Sequence, residues 1–227
     1  MWENIDTLLS PGIAEGAFPG CAVAAGQGGK LLFSGVYGQL SPDSPRCVTA
    51  ATRYDVGALT QVLATVPLTL AAIERGMVTL DDPITLWLDN VPGDKRAITL
   101  QQLLTHTAGF APYFLLQEEA EHASGSLAAL LRHPLAGTPG GKVRPSAMDF
   151  ILLGFILEKV FSMPLDKAVK LYVTTPLGMG RTGYLPAGQD VAPASAHSEN
   201  EEWQPGQPQD GNARFLHGVA GHAGLFT

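Results

Sequence analysis

Acyl-transfer chemistry needs a nucleophile made reactive by a neighbouring base, so the serines of this 227-residue chain come first. None has a lysine three residues on, none sits in Gly-x-Ser-x-Gly, and Tyr-x-Asn does not occur. A metal would need clustered ligands. The histidines (His106, His122, His133, His197, His217 and His222) include no His-Glu-x-x-His. His217 and His222 fall in a glycine-rich stretch without a helix to fix their spacing and read as ordinary loop residues, so no metal site is expected. Glu118, Glu119, Glu121 and His122 read as a solvated face. No phosphate-binding loop or dinucleotide fingerprint is present, so no cofactor is expected. Cys21 and Cys47 cannot form a disulfide framework and read as two buried thiols.

The elements that would position any such group can be read from composition and periodicity. Hydrophobic residues make up 45% and charged residues 15%, the latter well below the about 25% of ordinary soluble domains. That composition supports a sizeable core and excludes disorder as the main state. The net charge of −7 offers no basic stripe for nucleic acid and disfavours acidic lipid surfaces. The longest apolar runs, 62–73 and 150–157, fall short of the roughly 20 residues a bilayer needs, so no membrane span is expected. Met1 is followed by Trp2, Glu3, Asn4, Ile5 and Asp6 without a secretory signal, which implies a cytoplasmic address unless the chain was trimmed.

Ile5, Leu8, Leu9 and Ile13 recur at helical spacing and predict a short helix ending near Gly12 and Gly16. Residues 21–25 and 30–37, joined by Gln27-Gly28-Gly29, predict a hairpin, the one clear sheet of the chain. Helices then dominate to Tyr172. Thr99 with Gln102, and Ser146 with Asp149, have capping-box spacing, and Ser162 before Pro164 and Asp166 marks a further start. A long helix after Asp55 should kink at Pro67. From Pro176 onward the chain reads as a long loop region.

Several phrases then carry a family resemblance. Phe18-Pro19-Gly20, Tyr37-Gly38 and Val78-Thr79-Leu80-Asp81-Asp82-Pro83 open the series. Leu103-Leu104-Thr105-His106-Thr107-Ala108-Gly109, Leu152-Leu153-Gly154, Pro176-Leu177-Gly178-Met179 and Gly221-His222-Ala223-Gly224-Leu225-Phe226 make it specific. In order and spacing the chain resembles the serine β-lactamase, penicillin-binding protein and related esterase superfamily, class C-like. The resemblance implies an α+β, β-lactamase/transpeptidase-like fold: a single domain over 1–227, with a sheet-edge part at 1–50 and a helical and loop part at 51–227. It also implies that the C-terminal strands of the family sheet are missing, because the chain reaches Thr227 before the strand that carries the family's third motif.

The departures matter as much as the matches. The family's Ser-x-x-Lys supplies the acylated serine and its lysine; here the matching positions are Ala58 and Gln61. Alanine has nothing to acylate, and glutamine is neutral. The family's Tyr-x-Asn or Tyr-Ser-Asp falls on Pro145-Ser146-Ala147, so Pro145 and Ala147 replace both functional side chains. His222-Ala223-Gly224 formally fits the third motif, His-x-Gly, yet matches the earlier family segment better, and no strand is predicted there. Loss at four positions together points to natural decay of the site. Of groups that could substitute, Thr60 should point about 200° away from the Ala58 direction, Ser146 reads as a helix cap, and Cys21 reads as core.

Three readings follow. The first is a β-lactamase-like protein without serine-hydrolase activity, a ligand-binding or scaffold pseudoenzyme with a pocket for a small acyl or peptide ligand. The second is an esterase, β-lactamase or peptidase using non-standard groups. The third is an incomplete subunit. A two-stranded hairpin is marginal alone and its edges invite pairing, so a homodimer, a second polypeptide completing the sheet, or a covering helix is expected.

Overall fold

The computed structural model describes residues 3–42, 44–194 and 204–227, and divides into two compact units. One unit comprises Met1–Asp55, Pro186–Gly206 and Thr227; the other comprises Val56–Leu185 and Gln207–Phe226. Among the described residues, this unit also draws on 186–194 and 204–206, beyond the sheet-edge part expected at 1–50.

The first unit is built on helix α1 (Glu3–Ala14) and strands β1 (Gly20–Gln27) and β2 (Lys30–Gly38). The strands pair antiparallel from Gly20↔Gly38 to Gln27↔Lys30, with an irregularity at Ala25/Gly26. Gly28 and Gly29 turn the hairpin at φ of 58° and 76°, the left-handed pair that a two-residue turn of this hand requires. Of the coverings expected for this hairpin, a helix is present: α1 lies against β2, and Tyr37 donates its hydroxyl proton to Asp6 Oδ1 at 2.5 Å. The pairing of two buried thiols is corrected, since Cys21 is half-buried and Cys47 exposed.

The second unit holds the main core. Its helices are α2 (Val66–Glu74), α3 (Leu100–Leu104), α4 (Leu116–Glu119), α5 (Ser126–Arg132), α6 (Ala147–Phe161), α7 (Leu165–Val169) and α8 (Gly211–Phe215). Helix α6 is apolar nearly all round and is correspondingly central, with Met148, Phe150, Ile151, Leu152, Leu153, Ile156 and Leu157 all buried. The Thr99–Gln102 capping box forms as expected at the start of α3.

Four local expectations change. The helix after Asp55 runs as a 3₁₀ turn over Gly57–Leu59 and a π segment over Gln61–Thr65 before α2, so Pro67 stands in the first turn of the α segment. Taken whole, Gly57–Glu74 is long and apolar enough by length and composition to cross a membrane, which the count of apolar runs missed. Ala64, Leu68 and Ala72 of this run nonetheless lie in the core of the unit. Ser162 ends α6 as a left-handed cap (φ 52°) rather than starting α7. The region after Pro176 carries α8 and a second sheet, in which β3 (Gly183–Tyr184) pairs antiparallel with β4 (Leu225–Phe226). Both strands are two residues long, too short to leave an alternating pattern in sequence.

Candidate functional site

The four positions that the sequence resemblance sets against the family's catalytic side chains all fall in the second unit. Ala58 is exposed in the 3₁₀ turn, and Gln61 opens the π segment, which packs on α6. Pro145 is exposed, Ser146 is the N-cap of α6, and Ala147 is its first residue. The loop before β4 closes on the same elements. Gly221 lies against Phe150 and Gly154 of α6, so tightly that a Cβ would overlap the Phe150 carbonyl oxygen. Thr65 Oγ1 donates to Gly221 O at 2.6 Å, and Leu225 N donates to Thr60 Oγ1 at 3.2 Å. Residues 57–61, 145–147 and 221–226, far apart in sequence, are thus held on one framework.

Thr60 is fully buried, and its hydroxyl anchors β4 by accepting from Leu225 N. Ser146 Oγ is equally committed: it accepts from Met148 N at 3.1 Å and donates to Ala111 O at 2.6 Å. The capping box expected from Ser146 and Asp149 does not form. An aspartate is one methylene shorter than the glutamate of that motif, and Asp149 turns instead to His106, with Oδ2 2.8 Å from Nδ1.

Sequence reasoning passed over that pair. Asp149 is 1% exposed, and its Oδ1 is buried without a partner. Burial pushes its carboxyl up to about 8 and holds the His106 imidazole below its ordinary value. Geometry agrees: Ser146 N–H also points at His106 Nδ1, at 3.2 Å. An Nδ1 that accepts from an amide carries no proton, which favours placing the hydrogen between imidazole and carboxyl on Asp149. The burial-driven directions and this contact together favour a neutral acid beside a neutral imidazole. A serine, a histidine and an aspartate are therefore adjacent, yet no triad exists, because the Ser146 hydroxyl is turned to Ala111 and only its backbone faces the ring.

A second pair lies in the loop before β4. His222, expected to be an ordinary loop residue, is 3% exposed, and its Nε2 is 2.7 Å from Asp210 Oδ1. Asp210 also caps α8 by accepting from Ala213 N at 2.8 Å. Burial alone would raise this carboxyl, but the His222 bond and the amides of Ala213 and Asn212 outweigh it and hold the group below its usual range. Buried Asn212 ties α8 to the segment before α4, accepting from Leu116 N and donating to Phe114 O, each at 2.8 Å. The signal in sequence was the glycine-rich run 218–224, whose close packing draws His222 inward. His197 lies outside the described residues. Among the described residues no three His, Cys, Asp or Glu side chains gather as they would around a metal ion.

A family model described as Beta-lactamase matches residues 5–227. The chain belongs to the beta-lactamase family. Among curated proteins it is 28% identical over 216 residues to a protein named Putative D-alanyl-D-alanine carboxypeptidase from Salmonella paratyphi A, covering 81% of this chain and 50% of that protein. The chain thus spans about half the length of the curated relatives it matches. Solved structures with the same fold include the octameric penicillin-binding protein homologue from Pyrococcus abyssi (TM-score 0.82, 20% identity, 99% of this chain and 53% of that one). Another is the D-alanine carboxypeptidase AmpC from Burkholderia cenocepacia (TM-score 0.79, 23% identity, 99% and 60%). The β-lactamase/transpeptidase-like fold inferred from the sequence phrases therefore holds for this beta-lactamase family member.

Proposed function

We propose that this beta-lactamase family chain does not perform serine-hydrolase chemistry, and that it retains the family scaffold as a binding protein for a small acyl or peptide ligand. The observation that carries the reading is the pair Ala58 and Gln61 at the start of the 57–74 helix, where the resembled Ser-x-x-Lys would place a nucleophile and its lysine. Among the described residues, the two hydroxyls weighed as substitutes are both engaged by the backbone: Thr60 Oγ1 accepts from Leu225 N and Ser146 Oγ donates to Ala111 O. In an enzyme where it has been measured, loss of the nucleophile lowers turnover by about a millionfold. Intact-protein mass spectrometry after incubation with benzylpenicillin and with a fluorophosphonate tests the reading, beside a variant carrying Ala58→Ser and Gln61→Lys. The expected spectrum of the unaltered protein shows no adduct. A stoichiometric adduct, mapped by peptide digestion to a residue of the second unit, would overturn the proposal and establish a hydrolase with non-standard groups.

A further inference from the structure

The second unit contains a cavity of about 440 Å³ lined by none of residues 57–61, 106, 145–149 or 221–226. Its volume lies within the range of about 300–1,000 Å³ in which small ligands are held. Helix α5 offers one face to it through Leu127, Ala128, Leu131 and Arg132, while the segment after Leu86 brings Trp87 and Leu88, and the last turn of α6 brings Lys159. The floor is apolar and well fixed, with Leu88 and Leu131 each 4% exposed and Trp87 half-buried against the core.

The mouth is different. Arg132 and Lys159 both line it, and among the described residues neither forms an ion pair with a carboxylate. Among the described residues the Arg132 guanidinium makes one long polar contact, 3.4 Å to Glu119 O. Asp89 is the single carboxylate in the lining, which leaves one net positive charge at the opening. An apolar, partly aromatic floor beneath a mouth of charge +1 matches an amphipathic monoanion, whereas a dianionic phosphate carries more negative charge than the lining offsets.

We propose that this cavity binds a small carboxylate with a flat apolar body, the body resting on Trp87 and the three leucines and the carboxylate held between Arg132 and Lys159. The site is separate from the family's catalytic region, so it stands whether or not the proposed loss of hydrolysis is right. Isothermal titration with 2-naphthoate, and with uncharged 2-naphthalenemethanol as control, tests it. Naphthoate should saturate a single site and bind at least tenfold more tightly than the alcohol. The double variant Arg132→Gln, Lys159→Gln changes only exposed side chains, so circular dichroism should be unchanged; in it the two compounds should bind alike. Trp87→Ala should weaken both. Absence of saturable naphthoate binding, equal affinity for the alcohol in the unaltered protein, or an undiminished preference in the double variant would each overturn the assignment.

Discussion

Replacing Asp149 by asparagine tests the assignment of the His106–Asp149 proton. In the unaltered protein the buried carboxyl keeps its proton up to about pH 8, against 3.8 for an ordinary aspartate. The folded state therefore binds more protons than the unfolded state across that window, and stability falls as pH rises through it. His106 contributes the opposite slope, because its lowered value makes the unfolded chain the better proton binder, but only below its ordinary 6.5. From about pH 6.5 upward the Asp149 effect is alone: about 1.4 kcal/mol per pH unit, or about 2 kcal/mol in total by the time the carboxyl has ionised. The amide of Asp149→Asn can donate to His106 Nδ1 as the acid does, so the variant should match the parent within about 1 kcal/mol near pH 6. It should then become about 2 kcal/mol the more stable above pH 9. Urea denaturation followed by far-ultraviolet circular dichroism across this range reads the difference directly, with all other titrating groups cancelling. A difference that stays flat with pH would refute the neutral pair. So would a variant several kcal/mol weaker at pH 6, since that is the mark of a carboxylate paired with an imidazolium.

Two further substitutions probe the framework. Gly221→Ala places a Cβ against the Phe150 carbonyl oxygen, where neither backbone can yield; a cost above about 3 kcal/mol is expected in urea denaturation, and a loss below about 1 kcal/mol would contradict the close packing of this loop on α6. Asp210 has a carboxyl held below its usual range, so the stability it contributes is present above the ordinary carboxylate value and is lost as pH falls through the folded one. Asp210→Asn should destabilise the protein by about 1–3 kcal/mol at neutral pH. That gap should close as the acid limb is approached, and a gap that stays constant down to about pH 3 would show that His222 gives the carboxylate no special support.

Local patterns carried much of the architecture. The hairpin follows from alternating residues around Gly28-Gly29, and the α3 cap follows from Thr99 and Gln102, because turn and cap chemistry act within a few residues. The centrality of α6 follows from its unbroken apolar run. The reading of Ala58, Gln61, Pro145 and Ala147 as replacements for the family's catalytic side chains likewise rests on residue identity set against the family's motifs, and folding adds no chemistry to an alanine. Tertiary structure decided what depends on partners remote in sequence. Asp149 looks like a capping residue until His106, 43 positions earlier, is brought to 2.8 Å. His222 looks like a loop residue until the approach of Gly221 to α6 buries it beside Asp210. Two-residue strands such as β3 and β4 are defined by their pairing with each other, across 41 residues of sequence or more, and not by any local pattern. In each case an interaction with no local periodicity gained its strength from desolvation, and desolvation is a property of the assembled core rather than of any segment.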